Sequence, residues 1–166
     1  SVAPLMAALQ DRQVEVYMAS SRALVQIGAP SVEPLIAGLR ASEWRVQSRA
    51  ADALGQIGDA RAVEPLILAM QDASYAVRGK AAIALGQTGD ARAIQPLLQA
   101  LQAIDTRLCR PAGKALVQLY WSGKLDGAQA GLIASHQALI EHHEDYDYGG
   151  EDGGHIDGGP NVPFLL

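Results

Sequence analysis

The apolar positions of this chain recur with helical spacing inside units of about 30 residues. Within residues 63–71, one set of side chains follows the spacing i, i+3, i+4 and i+7, which is typical of one buried face of an α-helix. This set consists of Val63, Leu66, Ile67 and Met70. A longer set precedes it, at Val46, Ala50, Ala53, Leu54 and Ile57. The pattern predicts pairs of amphipathic helices, and the small residues of the longer helix predict close helix contacts.

Two dipeptides recur along the chain with the same spacings and indicate that the helix pair is repeated. A Pro-Leu pair begins at Pro4, Pro34, Pro65 and Pro96, and an Ala-Leu pair begins at Ala23, Ala53, Ala84 and Ala115. Both series have spacings of 30, 31 and 31 residues. A fixed period of this length is typical of solenoids, in which each unit packs on its neighbours. We therefore predict helix pairs at 2–10 and 13–27, 31–40 and 43–57, 61–71 and 74–88, and 92–102 and 105–120.

A Gly-Asp dipeptide separates the units at residues 58–59 and 89–90. Glycine readily adopts the left-handed conformation that ends a helix, and an aspartate side chain can cap the start of the next one. We therefore expect Gly58 and Gly89 to end helices, and Asp59 and Asp90 to start new ones.

The pattern changes after the third unit. The second helix of the fourth unit contains Pro111, and no Gly-Asp follows it. A further apolar stripe over residues 126–143 predicts a capping helix, whereas residues 144–166 lack a helical period and contain six glycines. We therefore predict three parts: a solenoid over 1–124, a capping helix over 125–143 and an acidic Gly-rich tail over 144–166.

The repeated motifs resemble a known family. The Val-Glu-Pro-Leu of residues 63–66 and the Ala-Leu-Gly-Gln-Ile-Gly-Asp of residues 53–59 are similar to the HEAT-like repeats of phycobilisome lyases. The resemblance covers residues 2–121 and implies an all-α, right-handed α-α superhelix whose second helices line the concave face. Bilin lyase subunits, phycobilisome degradation factors and many bacterial scaffold proteins share these repeats. The resemblance thus implies a fold and leaves the ligand open.

Composition and charge narrow the class of protein. No apolar run reaches the roughly 18 residues needed to span a bilayer, and a single cysteine, Cys109, precludes an internal disulfide and fits a reducing compartment. We expect a soluble cytoplasmic protein without a signal peptide, because Ser1 leads directly into a helical pattern. The abrupt start favours a fragment or trimmed form of a longer chain. The net charge is −5, but residues 1–124 carry +3 and residues 125–166 carry −8.

The polar positions of the second helices form columns across the repeats. One column has glutamine in every unit, which offers adaptable hydrogen bonding to an extended ligand. The predicted partner-binding residues are Arg22, Gln26, Arg45, Arg49, Asp52, Gln56, Arg78, Lys80, Gln87, Arg107, Arg110, Lys114 and Gln118. For any one of them, an ordinary solvated helix face is the alternative. Trp44 and Tyr75, at matching positions, are either rim anchors for a partner or packing residues.

Other chemistries have weaker support. A charge of +3 over 124 residues, with few aromatics, disfavours a nucleic-acid partner. Weak candidates for metal ligands are His142, Asp145, Asp147 and His155, but position 12 of a calcium loop starting at Asp145 would be Ile156 instead of glutamate. Cys109 has basic neighbours but no histidine in its repeat, so we expect a buried or semi-buried thiol. We predict no catalytic residue, no cofactor and no membrane partner.

The acidic tail complements the basic repeats. We expect acids 144–157 to lie along the groove, and Phe164, Leu165 and Leu166 to fill an apolar pocket of the same or a second molecule, the latter giving a homodimer. The predicted function is a non-catalytic scaffold or adaptor that binds a segment of another protein in a groove occupied in part by its own tail. The alternative is a bilin lyase-like or phycobiliprotein-binding subunit. The irregular first and fourth units disfavour an engineered consensus protein.

Overall fold

The computed structural model describes residues 1–102 and 106–135, and within these ranges the regular structure is helical. The helices, numbered in chain order, are α1 Val2–Ala8, α2 Val14–Ile27, α3 Ala29–Gly38, α4 Trp44–Ile57, α5 Val63–Ala69, α6 Tyr75–Thr88, α7 Ile94–Gln102, α8 Thr106–Trp121 and α9 Gly127–Ser135. The four predicted helix pairs and the start of a capping helix are confirmed. The predicted remainder of that helix and the whole tail lie outside the described residues.

The helix pairs stack in two layers of unequal tightness. The second helices α2, α4, α6 and α8 pack side by side, most closely from α4 to α8, while α3 and α5 contact the next unit mainly through the short turns between repeats. The second helices therefore form the more closely packed layer of the stack. The molecule is an α-α solenoid, as the sequence predicted.

The boundary between repeats is built from a glycine and an aspartate. Gly58 and Gly89 have φ angles of 70° and 67°, the left-handed conformation that ends α4 and α6. Asp59 and Asp90 then cap the next turn with a side-chain oxygen, as expected. One detail differs from the prediction. The aspartate starts a single turn of 3₁₀ helix, and the α-helix begins only after it, at Val63 or Ile94.

The first boundary is made differently. Gly28 also has a positive φ, 72°, but no aspartate follows it, and α3 begins directly at Ala29 with Pro30 in its first turn. Proline costs little in the first turn because its missing N–H would have no intrahelical partner there. Pro34 is the sixth residue of α3 and lies inside the helix.

Glycine permits the closest approach in the stack. A Cβ atom built on Gly55 would lie 2.7 Å from Ala84 Cα, and one built on Gly86 would lie 2.6 Å from Ala115 Cα. These distances leave no space for a methyl group, so α4, α6 and α8 are in backbone contact at these points. Around them the core consists of buried leucines and alanines, such as Leu54 and Leu85. The predicted close contacts of the second helices are confirmed.

The first unit packs more loosely than the others, and the sequence explains why. The positions of Ser48 and Gly55 in α4 are occupied by Gly79 and Gly86 in α6, but by the bulkier Met18 and Val25 in α2. Because these side chains are large, α2 packs less closely on α4 than α4 does on α6. At the other end, α8 continues through Pro111.

The capping helix α9 starts with a reciprocal hydrogen-bond pair. Asp126 Oδ1 accepts from the backbone N–H of Gln129 at 2.8 Å, and Gln129 Oε1 accepts from the backbone N–H of Asp126 at 3.1 Å. This arrangement is a capping box, which satisfies two N–H groups at the start of a helix.

Candidate partner-binding surface

The glutamine column runs along the second helices and is exposed in every repeat. Gln26, Gln56, Gln87 and Gln118 all reach solvent. In the central repeats, these side chains also contact their surroundings: Gln56 Nε2 donates to Asp52 Oδ2 at 2.8 Å, and Gln87 Oε1 lies against Gly55 of the preceding repeat. An amide has two donor hydrogens and an acceptor oxygen, so each side chain keeps hydrogen-bonding capacity for a ligand.

A polar cluster links the columns of the second and third repeats. Lys80 Nζ lies 3.4 Å from Asp52 Oδ1, and Gln56 binds the other oxygen of the same carboxylate. The charges of Lys80 and Asp52 therefore offset one another in the middle of the surface. The position of Asp52 is occupied by Arg22 in the first repeat, by Ile83 in the third and by Lys114 in the fourth, and both Arg22 and Lys114 are exposed.

Two of the predicted groove arginines contact loops within the solenoid. Arg49 Nη1 donates to the carbonyl oxygens of Leu9 and Asp11 at 2.6 and 2.9 Å, and its guanidinium lies 3.5 Å from the ring centroid of Tyr17. Arg78 Nη1 donates to the carbonyl oxygens of Asp72 and Ala73. These contacts hold the turns between paired helices. Partner binding by these arginines stays a prediction.

An aromatic and arginine edge lies where the second helices begin. Trp44 and Tyr75 are 38% and 43% exposed, which places them at the rim of the core. Arg45 lies over the Trp44 ring at 4.9 Å, and Arg107 lies over the Tyr75 ring at 5.5 Å. Exposed aromatic residues beside arginines are common anchors in protein interfaces.

A cleft near this edge was missed by the sequence reasoning. It has a volume of about 230 Å³, and Leu68 at its border is 62% exposed. Gln47 spans its floor by donating to Leu39 O at 3.2 Å and to Asp72 Oδ2 at 3.0 Å. The lining residues are Ile36, Leu39, Arg40, Gln47, Pro65, Leu68, Ala69 and Asp72. These residues come from two repeats, so no local motif could have indicated the cleft.

An ion-pair ladder joins successive repeats on the side of the first helices. Arg61 Nη2 lies 2.8 Å from Asp59 Oδ2, and it also donates to Ala29 O of the preceding unit at 3.3 Å. Arg92 repeats this geometry with Asp90 and with Ala60 O at 3.1 Å. Sequence reasoning assigned no role to either arginine, although the identical Asp-Ala-Arg-Ala at 59–62 and 90–93 was a visible signal.

The ladder changes the ionisation of its carboxylates. Hydrogen bonds from the side chain and backbone of the arginine two residues later lower the pKa of Asp59 from 3.8 to about 2, and the pKa of Asp90 by the same amount. The matching aspartates raise the pKa of Arg61 and of Arg92. The charges are therefore fixed across the physiological range, which suits a structural role.

Helix α8 carries the most basic part of the surface. It contains Arg107, Arg110 and Lys114 and no acidic residue. Desolvation of the Lys114 amine by the surrounding protein, and then the nearby positive charge of Arg110, lower the pKa of Lys114. Arg107, Lys114 and Gln118 are exposed, and Arg110 is partly buried. At the end of the helix, Trp121 is 59% exposed.

The thiol predicted to be buried or semi-buried is buried. Cys109 is 3% exposed, and its Sγ lies 3.3 Å from Leu101 O. In residues 1–102 and 106–135, no three His, Cys, Asp or Glu side chains are grouped in a way that could hold a metal ion. The weak metal candidates His142, Asp145, Asp147 and His155, and the predicted docking residues Phe164, Leu165 and Leu166, lie outside the described residues.

The described helices, in 1–102 and 106–135, include none with the length and hydropathy needed to cross a membrane. They form a stack of helix pairs with polar residues exposed along the second helices, which is the architecture of a repeat solenoid. The sequence model of HEAT repeats matches residues 32–117, so the chain belongs to the HEAT repeat family.

Solved structures agree with this fold. The chain is similar to a structure of the complex of CpcE and CpcF of phycocyanin lyase from Nostoc sp. PCC7120, with a TM-score of 0.67, 22% identity, and coverage of 82% of this chain and 97% of that one. It is also similar to human deoxyhypusine hydroxylase in complex with glycerol, with a TM-score of 0.63 and 23% identity. That match covers 74% of this chain and 44% of that one. None of the curated proteins matches the sequence. At these identities, the similarity shows the fold alone.

Proposed function

We propose that this protein is a non-catalytic scaffold or adaptor that binds an extended segment of another protein along its second helices. The observation that carries the proposal is the glutamine column, which is exposed in all four repeats. The leucine two positions before each glutamine, such as Leu54 or Leu85, is fully buried. Packing in the core therefore accounts for a leucine at the buried position of every repeat. It does not account for a glutamine at the exposed position.

The dimensions of the column suit an extended chain. Packed helices lie about 8–10 Å apart, so four second helices spread the glutamines over roughly 25–30 Å. An extended peptide rises about 3.3 Å per residue, so a segment of roughly nine residues would pass all four amides. Side-chain amides can donate to carbonyl groups and accept from N–H groups of such a backbone.

The charges beside the column supply a basis for selectivity. Asp52 and Lys80 offset one another in the middle, while Arg22 and Lys114 lie exposed at the two ends. A segment with acidic residues near both ends and a polar middle would complement this arrangement.

The experiment compares two sets of four glutamines. Peptides that bind the intact protein are first selected from a random display library. The affinity of these peptides is then measured by titration for the intact protein and for a variant with Ala at the four column positions. The control variant has Ala at four exposed glutamines outside the column, Gln71, Gln95, Gln99 and Gln102. We expect at least tenfold weaker binding by the column variant and unchanged binding by the control. Equal affinities for both variants would contradict the proposal.

A lyase-associated subunit is the second candidate. It is favoured by the fold match to the CpcE and CpcF complex, which covers 97% of the matched chain. A bilin titration followed by absorbance separates the two functions. A saturable spectral shift would support this second candidate, whereas an unchanged spectrum leaves the adaptor function as the better proposal.

A further inference from the structure

The positive charge of the repeats is concentrated in one helix. Residues 1–102 contain nine basic and nine acidic residues and are neutral overall. Residues 103–124 contain four basic residues and one acid, Asp105, and three of the four basic residues are on α8. The surplus charge of the solenoid is therefore located in its last repeat instead of along the whole groove.

The cations of α8 share one face. Residues 107, 110, 114, 118 and 121 follow the spacing i, i+3, i+7, i+11 and i+14, so they span less than a quarter of the helix circumference. We call these five residues, Arg107, Arg110, Lys114, Gln118 and Trp121, the α8 stripe. It presents cations over its first half and an exposed tryptophan at its end.

The surroundings of Lys114 differ from those of the lysine in the preceding repeat. In the middle of the solenoid, Asp52 of α4 binds Lys80 of α6, so a cation meets an acid from the adjacent helix. The preceding second helix α6, Tyr75–Thr88, contains no acidic residue, and neither does α9, Gly127–Ser135. Lys114 moreover lies close enough to Arg110 for the two positive charges to oppose one another. An anionic partner would relieve this repulsion.

We propose that the acidic segment 141–157 of this same chain binds the α8 stripe, with the apolar residues 162–166 packing on Trp121. Residues 141–157 contain seven acidic residues and no Lys or Arg. Only five residues separate Ser135, at the end of α9, from Glu141. The segment 141–157 can extend to about 55 Å, so it is long enough to pass the whole α8 stripe, about 21 Å, within its own molecule.

This inference is independent of the proposed function, because it concerns a contact within one chain. Its consequence for that function is competition: the tail covers the last repeat until a partner with higher affinity displaces it.

The test uses the intact protein and its three lysines, Lys80, Lys114 and Lys124. Amine acylation is followed at each lysine by mass spectrometry in the natural chain and in a variant whose seven acids at 141–157 are replaced by Asn or Gln. We expect Lys114 to react at least fivefold faster in the variant, because the carboxylates that cover it and hold its proton are gone. Lys80, whose acid is in α4, serves as the internal control and should not change. Equal Lys114 rates in the two chains would overturn the proposal.

A second measurement tests whether the contact lies within one molecule. A zero-length carbodiimide reaction should join Lys114 to a carboxylate of 141–157 in a product of monomer mass, with a yield independent of protein concentration. Replacing Arg107 and Arg110 by Gln should lower that yield, whereas replacing Arg12 and Arg40 by Gln should not. Cross-links found only in a dimer, or lost on dilution, would show that the tail belongs to a second copy and overturn the proposal.

Discussion

Ser31 is fully buried near the start of α3, and its hydroxyl has no hydrogen-bond partner among the described residues. The equivalent residues of the next two repeats are Ala62 and Ala93. Burying a hydroxyl without a partner costs about 1–3 kcal/mol. We therefore expect Ser31→Ala to raise the free energy of unfolding by about 1 kcal/mol, measured by urea denaturation.

Ser20 provides the matched control for this substitution. It too stands where later repeats have alanine, but its hydroxyl donates to Val16 O at 2.9 Å. Ser20→Ala removes a satisfied hydrogen bond and should leave stability unchanged or lower it slightly. If both substitutions stabilise the protein equally, alanine is favoured by helix propensity alone and the unpaired hydroxyl of Ser31 is not the cause.

A glycine in the tightest helix contact should be intolerant of even one methyl group. The Cβ of Gly55→Ala would lie 2.7 Å from Ala84 Cα, so α4 and α6 would have to separate. We expect a loss of about 1–3 kcal/mol in the free energy of unfolding, as in other overpacked cores.

Gly131 tests the same substitution without the contact. It lies inside α9, and apart from the adjoining backbone of that helix no atom of the described residues lies within 4 Å of the position that a Cβ would take. Gly131→Ala should therefore gain about 0.5–1 kcal/mol from helix propensity. Opposite signs for the two substitutions support the packing argument, and a gain at Gly55 would refute it.

At the scale of an element, the turn between repeats makes stability depend on pH. Asp59 and Asp90 have folded pKa values of about 2, below the ordinary 3.8, because of the arginine hydrogen bonds. A lowered folded pKa stabilises the protein above the unfolded value, and the stabilisation is lost as the pH falls from about 4 to 2. We expect Asp59→Asn combined with Asp90→Asn to be less stable than the natural protein at pH 6, and the difference to shrink toward pH 2. Urea midpoints at both pH values measure it.

The control for this effect is Glu15→Gln, which removes a carboxylate exposed on α2. This variant should follow the pH dependence of the natural protein. If the gap between the double variant and the natural protein is as wide at pH 2 as at pH 6, ionisation of the two aspartates is not what holds the turns.

The local chemistry of the helices could be predicted from sequence, whereas contacts between repeats could not. Gly58 and Asp59 end one helix and cap the next turn through atoms a few residues apart, so their types and order suffice. Arg61 reaches Ala29, 32 residues earlier, and Arg49 reaches Leu9, 40 residues earlier. These partners depend on how the helices stack, which the spacing of apolar residues does not specify. For the same reason, the sequence did not show that the cations of the predicted groove differ in their partners.

At the scale of the whole molecule, equal helices are buried to unequal extents. Helices α2, α4 and α6 each have 14 residues, but α2 buries only Ser20 and Leu24, whereas α4 and α6 bury seven residues each. Helix α1, which pairs with α2, buries none. In a solenoid each unit depends on its immediate neighbours, so a loosely packed end unit can open while the centre stays folded.

Hydrogen exchange should therefore be fastest at the N-terminal unit. Five fewer buried residues correspond to a local opening energy lower by several kcal/mol, and we expect amides of α2 to be protected at least about 100-fold less than those of α4. Because α2 and α4 have the same length, helix length cannot produce the difference. Low concentrations of urea should leave the exchange of α2 nearly unchanged while that of α4 accelerates, since opening α2 exposes little surface. Equal protection of the two helices, with equal sensitivity to urea, would show that the solenoid unfolds as one cooperative unit despite its uneven packing.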